Sequence, residues 1–96
     1  MARSDMLMVF TYDISREKKR RRVARVLENA ATRVQYSVFE ARMSRGRAAS
    51  LAQRIAAELE PGDSLRVYAI GANGERRTKV YGDAVPIEPI GDYWLA

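Results

Sequence analysis

The segment Met6–Asp13 constrains the fold most strongly, because a run of apolar residues ends in one carboxylate and a dense basic cluster follows. A strand with apolar side chains on both faces is expected to be covered on both sides. Asp13 falls where such a strand leaves its sheet, so its charge can reach water, a metal ion or a phosphate. The pattern predicts a central strand that presents a carboxylate, with a turn or helix-capping role for Asp13 as the alternative.

Length and composition restrict the possible chemistry. The chain has 96 residues, which predicts a single domain over 1–96 that buries only about two thirds of its unfolded surface. It contains no cysteine and no histidine, which excludes disulfides, thiolate and imidazole ligands and the usual general base. Any catalysis must therefore use carboxylates, Tyr, Ser, Lys or a metal ion held by oxygen.

The start of the chain and its hydropathy bear on location. No apolar stretch reaches the roughly 18 residues of a membrane span, and the polar start 1–5 lacks the apolar core of a secretory signal. We therefore expect a cytoplasmic protein that does not enter a membrane.

A strongly basic helix is predicted from about Arg16 to Ala31, with Ser15 as its N-cap. The chain carries 17 Lys and Arg against 12 Asp and Glu, a formal charge of +5. Positive charges near a helix N-terminus oppose the macrodipole and cost about 0.3–1 kcal/mol each. Phosphate binding therefore explains the cluster better than solubility alone. The basic residues of the cluster are Arg16, Lys18, Lys19, Arg20, Arg21, Arg22 and Arg25.

The segment Thr32–Ala41 is predicted to be extended, with bulky residues on both sides. Val34, Tyr36 and Val38 alternate with Gln35, Ser37 and Phe39. Helices can cover only one face of a small sheet, so an identical sheet from a second subunit is the simplest cover for the other face.

The second half of the chain predicts a helix, a strand and a hairpin. The helix covers Gly46–Glu60 and ends at Pro61-Gly62, and the strand covers Asp63–Gly71. Asn73-Gly74 then predicts a hairpin turn into a short strand near Thr78–Tyr81. The C-terminal tail 83–96 ends in apolar residues, and docking on its own domain or on a partner's sheet edge are both open.

This element order predicts an α+β ferredoxin-like sandwich, with a mainly antiparallel sheet of four to five strands and two helices on one face. The fold needs two strands between its helices. The interval 32–43 is short for a hairpin, so either it breaks near Tyr36-Ser37 or the strand assignment there is wrong.

Three sequence motifs carry a resemblance to a known family. They are Tyr12-Asp13-Ile14 at the end of the first strand, Arg20 and Arg22 in the helix, and Arg33-Val34-Gln35-Tyr36-Ser37-Val38-Phe39-Glu40. In spacing and element order the chain resembles the Cas-two family, the small CRISPR-associated proteins of spacer acquisition, often described as endoribonucleases. The resemblance covers nearly the whole chain.

The resemblance implies a face-to-face homodimer in which two Asp13 carboxylates meet near the two-fold axis and hold one divalent metal ion. Mg²⁺ is the expected ion, because the site offers only oxygen ligands. The resemblance also implies that Arg20, Arg22 and Arg33 position the phosphates of nucleic acid. The basic cluster adds Lys18, Lys19 and Arg21 as further contacts, beyond what the family motif requires. Tyr12, Ser37 and Phe39 support the site. Phe39 is expected to lie in the core or shape the subunit interface rather than stack on a base, and Ser37 to bond backbone or a metal-bound water.

Two function classes follow from the resemblance. One is a magnesium-dependent endonuclease of antiviral defence that cuts RNA or DNA and acts in spacer acquisition with the larger CRISPR spacer integrase. The other is a noncatalytic dimeric adaptor that holds duplex DNA for that integrase, because phosphate binding needs no catalysis. An RNA-binding domain that takes single-stranded RNA lacks the aromatic platform motif of that module and is less favoured.

Overall fold

The computed structural model describes residues 5–84 of the chain. In chain order the elements are β1 (Met6–Asp13), α1 (Glu17–Glu28), β2 (Thr32–Gln35), β3 (Val38–Met43), α2 (Arg45–Ala56), β4 (Ser64–Ile70) and α3 (Ala72–Arg77). The strands form one antiparallel sheet in the order β2-β3-β1-β4. The α+β ferredoxin-like arrangement predicted from the sequence is confirmed, and β1 is a central strand. Within these residues, no helix has the length and apolar character to cross a membrane.

The core lies between one face of the sheet and helices α1 and α2. Every second residue of β1 contributes to it, and Phe10 pairs in register with Phe39 of β3, each with no exposed surface. Burying side chains of this size contributes about 1.5–3 kcal/mol each. The core residues of this layer include Met8, Phe10, Tyr12, Val23, Leu27, Phe39 and Ile55.

The opposite face of the sheet has a cover that the sequence did not predict. Leu7 lies on this face and is 1% exposed, between Arg42 and Ile70 in the strand register. Arg42 forms an ion pair with Glu75 of α3, which places α3 over this end of the face. At the other end of β1, Asp13 is exposed. A second subunit is therefore not needed to cover Leu7, while the Asp13 end stays open.

The interval between the helices is a hairpin that turns at Tyr36-Ser37, so the break considered at that point is confirmed. The pairing shifts between Arg33 and Gln35, which shows an irregularity in β2. Because the chain turns, the simple alternation from Val34 to Phe39 does not hold. Phe39 was predicted to lie either in the core or at the subunit interface. Its side chain has no exposed surface, so the core prediction is confirmed and the interface prediction is wrong.

The hairpin predicted at Asn73-Gly74 is wrong. These residues lie inside the short helix α3, and Glu75 N–H donates to the Gly71 carbonyl. A two-residue hairpin of this sequence requires positive φ at its centre, whereas Gly62 and Gly82 are the glycines with positive φ in the described chain. Residues 78–81 accordingly form no strand in the structure.

Both long helices are shorter than predicted. Helix α1 begins after Arg16, which has extended backbone angles and no side-chain capping bond, so the assignment of Ser15 as N-cap is wrong. It ends at Glu28 with Asn29 as its C-cap, and the N–H groups of Ala30 and Ala31 then donate to the Leu27 carbonyl in a tight turn. Helix α2 begins at Arg45 and ends at Ala56 rather than Glu60, and the Ser44 hydroxyl accepts from Arg47 N–H at 3.1 Å.

The predicted tail 83–96 lies almost wholly outside the described residues, which end at 84. Its docking on the same or a partner subunit stays a prediction.

Candidate active site and nucleic-acid interface

Asp13 ends the central strand and is exposed, next to Ser64 in the β1–β4 register. It caps no helix, because the N-cap of α1 is Arg16. Within residues 5–84 its carboxylate has no hydrogen-bond or ion-pair partner. The same residues contain no group of three or more His, Cys, Asp or Glu that could hold a metal ion. Within the described residues, the end of β1 therefore offers one free carboxylate, which is an incomplete metal site.

The loop that follows Asp13 is held from two sides. Ser15 N–H donates to Asp63 Oδ1 at 3.1 Å. The Arg20 guanidinium donates to the carbonyls of Ile14 at 3.0 Å and Ser15 at 3.1 Å. These contacts fix the backbone immediately beyond the carboxylate, because an N–H and two carbonyls of the loop have defined partners.

The other carboxylate oxygen of Asp63, Oδ2, accepts a hydrogen bond from the Glu60 N–H at 2.9 Å. The N–H groups of Glu60 and Ser15 hold the pKa of Asp63 below its ordinary value of 3.8, because they stabilise its charged form. Desolvation acts against these two bonds, and the positive charges of Lys19 and Arg16 add smaller contributions that also lower the pKa. Asp63 therefore keeps its charge, and its two acceptor contacts, well into the acidic range.

Arg20 also reaches the β2–β3 turn, where its Nε donates to the Tyr36 hydroxyl at 3.1 Å. The guanidinium carbon of Arg33 lies 5.7 Å from the centre of the Tyr36 ring and 5.0 Å from that of Phe39, within cation–π range. Tyr12 packs against Phe39 with ring centres 6.4 Å apart. An open cleft of about 130 Å³ lies here, which we call the tyrosine cleft; its lining is Tyr12, Arg20, Arg21, Ala24, Arg33 and Tyr36.

The cations on the other side of α1 are paired with carboxylates. Arg22 contacts Glu58 at 2.8 Å, and Lys19 Nζ lies 3.5 Å from Glu60 and donates to the Glu58 carbonyl at 3.1 Å. Arg16 lies 3.6 Å from Glu60. We call this group, Arg16, Lys19 and Arg22 with Glu58 and Glu60, the carboxylate flank. Its positive charge is largely balanced within the protein.

The remaining residues predicted to support the site differ in their contacts. Arg21 pairs with Glu17 at 2.8 Å on the exposed surface of α1, whereas Lys18 is exposed and has no partner among residues 5–84. Ser37 contributes its carbonyl, which accepts the Tyr12 N–H at 3.1 Å. Its hydroxyl makes no hydrogen bond within the described chain. Among the predicted arginines, Arg20 and Arg33 both contact Tyr36, whereas Arg22 contacts Glu58 in the carboxylate flank. The fold therefore brings the first two together and separates them from the third.

Residues that the sequence did not identify complete this region. The sequence places Tyr36 in an extended segment, at a possible break and in the family motif, but does not predict that it contacts nucleic acid. An aromatic residue close to Arg33 is nevertheless typical of nucleic-acid surfaces. No sequence pattern identifies the acidic residues Asp63, Glu58 and Glu60 as part of this region. Their partners lie 36–48 positions away along the chain or depend on where α2 ends.

Comparisons with known proteins agree with this structure. The family model described as "CRISPR associated protein Cas2" matches residues 6–78. The CRISPR-associated endoribonuclease Cas2 3 of Chloroflexus aurantiacus is 37% identical over 78 residues, covering 80% of this chain and 84% of the relative. The crystal structure of Streptococcus pyogenes Cas2 matches with a TM-score of 0.66 and 31% identity, covering 80% of this chain and all of that one.

A third match shows the fold alone. A chain from a partial Cas6-RT-Cas1–Cas2 complex superposes with a TM-score of 0.65 at 23% identity, covering 78% of this chain and 89% of that one. The family match extends over most of the chain and includes β1, the tyrosine cleft and the carboxylate flank. The chain therefore belongs to the Cas2 family of CRISPR-associated proteins and so to CRISPR defence.

Proposed function

We propose that the protein acts in spacer acquisition as a symmetric dimer that binds nucleic acid and cleaves phosphodiester bonds at paired Asp13 carboxylates. The observation that carries the proposal is the exposed carboxylate at the end of a central strand, with no partner within residues 5–84. One chain cannot complete a metal site with this carboxylate alone. A two-fold axis between two subunits can, because it brings a second copy of Asp13 to the site.

The donor chemistry fits Mg²⁺. The chain contains no histidine or cysteine that would favour a softer metal, and Mg²⁺ prefers oxygen ligands and keeps several waters. Two carboxylates brought together repel unless a cation lies between them or one is protonated. When bound, Mg²⁺ supplies a Lewis acid for the scissile phosphate and lowers the pKa of a coordinated water. Asp13 from each subunit would hold the ion.

The basic residues have a separate part in this proposal, which is to bind phosphate. Lys18 is exposed without a carboxylate partner among residues 5–84, and Arg33 bears its charge over aromatic rings. Such cations attract the nucleic-acid backbone through counterion release, whether the substrate is duplex DNA or single-stranded RNA. The names of the nuclease relatives support cleavage. Family membership supports a spacer integrase as partner.

A noncatalytic adaptor is the second candidate function. It is favoured by the small number of catalytic groups: one carboxylate per chain at the site, no cluster of three ligands within residues 5–84, and no histidine to act as a base. In that case the dimer would hold duplex DNA while the integrase performs the chemistry.

Asp13→Asn separates the two functions. We expect it to reduce magnesium-dependent cleavage of RNA or DNA by about 100-fold or more, beyond the 10–100-fold typical of residues that only support a metal ligand. Duplex binding with the integrase should be unchanged, because the substitution removes no cation. Asp83→Asn, at another exposed carboxylate, is the matched control and should cleave normally. If the unsubstituted protein never cleaves with Mg²⁺ but binds duplex DNA, the enzyme proposal fails and the adaptor stands.

A further inference from the structure

Tyr36 is unusually well held for an exposed side chain. It lies in the β2–β3 turn and is 67% exposed. Its hydroxyl accepts from Arg20 Nε at 3.1 Å, and Arg33 lies over its ring at 5.7 Å. Both contacts restrict the ring before any ligand arrives, so little further ordering is needed for it to bind one.

The charges around Tyr36 are held without being neutralised. Arg20 donates to two carbonyls and a hydroxyl, and Arg33 contacts rings; within residues 5–84 neither forms an ion pair with a carboxylate. Arg21 also lines the tyrosine cleft, and its pairing with Glu17 is on the exposed surface, where competition from water and salt keeps such pairs weak. An anion approaching the cleft therefore meets guanidinium groups that have no strong competing carboxylate.

The size and lining of the cleft indicate what binds there. Its volume of about 130 Å³ is close to the roughly 150 Å³ of a cavity that admits a benzene ring. A phosphate alone would use the guanidinium groups but leave the Tyr36 ring in water. A nucleobase would use both, because every base has a flat face for stacking and a phosphate beside it. Bases paired within a duplex do not expose that face, so the ligand must carry an unpaired base.

We propose that Tyr36 is a stacking platform for one unpaired nucleobase, with Arg21 and Arg33 contacting the adjacent phosphate. This inference rests on the nucleic-acid binding proposed above and assigns one unpaired base of a single-stranded or frayed strand to a named side chain. The turn that carries Tyr36 is tied to the end of β1, since Tyr12 N–H donates to the Ser37 carbonyl at 3.1 Å. A strand held on Tyr36 is therefore anchored to the element that ends in Asp13.

The test uses full-length protein and short RNA and DNA strands that carry 2-aminopurine, whose fluorescence falls when the base stacks. The unsubstituted protein should quench it. Tyr36→Leu should weaken single-strand affinity about tenfold and abolish the quenching, in line with the effect of losing one stacked base. Tyr36→Phe keeps the ring and should retain both within about twofold. Tyr81→Leu alters another exposed tyrosine, outside the tyrosine cleft, and should change neither.

A blunt duplex of the same sequence distinguishes this inference from the function on which it rests. Its affinity should be the same for all four proteins, which also shows that Tyr36→Leu is folded. If Tyr36→Leu binds and quenches single strands as well as the unsubstituted protein, the platform is wrong while nucleic-acid binding stands. If the unsubstituted protein binds neither single strands nor duplex, the proposed function and the platform both fail.

Discussion

The tyrosine cleft and the carboxylate flank lie on two sides of the same helix and contain the same kind of cation in different surroundings. In the carboxylate flank, Arg22 is bound by Glu58, a partner of opposite charge. In the tyrosine cleft, Arg20 is bound by carbonyl and hydroxyl oxygens, and Arg33 by aromatic rings. A neutral partner fixes a guanidinium without cancelling its charge. The number of basic residues on α1 therefore says less about phosphate binding than the partner of each one.

Arg20 and Arg22 also contribute to the stability of the fold to different extents. Arg20 connects the loop after β1, helix α1 and the β2–β3 turn, so removing it affects structure as well as charge. Arg22 is half-exposed and contacts a partly exposed carboxylate, and pairs of this kind near the surface contribute only about 0–1 kcal/mol. The sequence assigns both residues to nucleic-acid contact, but their substitution should have different effects.

The largest effect is expected from Arg20→Ala. It leaves the carbonyl of the buried Ile14 without its side-chain donor, and should lower the free energy of unfolding by about 1–3 kcal/mol in urea titrations. Arg20→Lys keeps the charge but not the planar fork, so it should restore only part of the loss. Arg25→Ala removes an exposed arginine of α1 that has no partner within residues 5–84 and should change stability by less than about 0.5 kcal/mol. Equal stability of Arg20→Ala and Arg25→Ala would contradict the structural role.

A smaller effect, of opposite direction, is expected from Glu58→Gln. It removes the carboxylate that competes with phosphate for Arg22, so duplex affinity should rise a few-fold at low salt. The slope of log affinity against log salt should steepen by about 0.9, the value for one added phosphate contact. Stability should fall by no more than about 1 kcal/mol.

Glu28→Gln is the matched control for this experiment. It changes the net charge by the same amount, at an exposed residue of α1 with no ion-pair partner in the described part of the chain. Its salt slope should equal that of the unsubstituted protein. If the two substitutions have the same effect, net charge alone accounts for affinity, and the contrast between the carboxylate flank and the tyrosine cleft has no consequence for binding.

The sequence predicted those parts of the molecule that follow from local pattern. The apolar period of β1 and the stripes of α1 and α2 are properties of neighbouring residues, and they were enough for the order of these elements and the ferredoxin-like fold. The exposed Asp13 at the end of β1 was also predicted, because a strand's last residue leaves the sheet. Helix α3 was missed because Asn73-Gly74 is locally compatible with a hairpin, whereas its helical form is accompanied by a distant contact, Glu75 with Arg42.

The partners of the cations could not be predicted for the same physical reason. Lys19 and Arg22 meet residues that lie 36–41 positions further along the chain, which only the packing of the helices brings close. Arg20 and Tyr36 are 16 positions apart and meet because the hairpin turns at Tyr36. The sequence therefore identified the basic cluster correctly as a feature, but could not show which charges were balanced.

The smallest effect is expected from a substitution of Asp63. Its carboxylate accepts the Ser15 N–H, while Arg20 donates to the Ser15 carbonyl. The pKa of Asp63 is lower in the folded protein than the ordinary 3.8, mainly because the Glu60 and Ser15 N–H groups bond its charged form. The stabilisation is therefore present above about pH 3.8 and is lost as the pH falls through the lowered folded value. Asp63→Asn should melt at a slightly lower temperature at neutral pH, and the difference should shrink in this acidic range. Asp83→Asn should show no such convergence. A difference that stays constant at every pH would mean that the Asp63 charge does not hold the loop, and that Arg20 alone fixes the backbone beside Asp13.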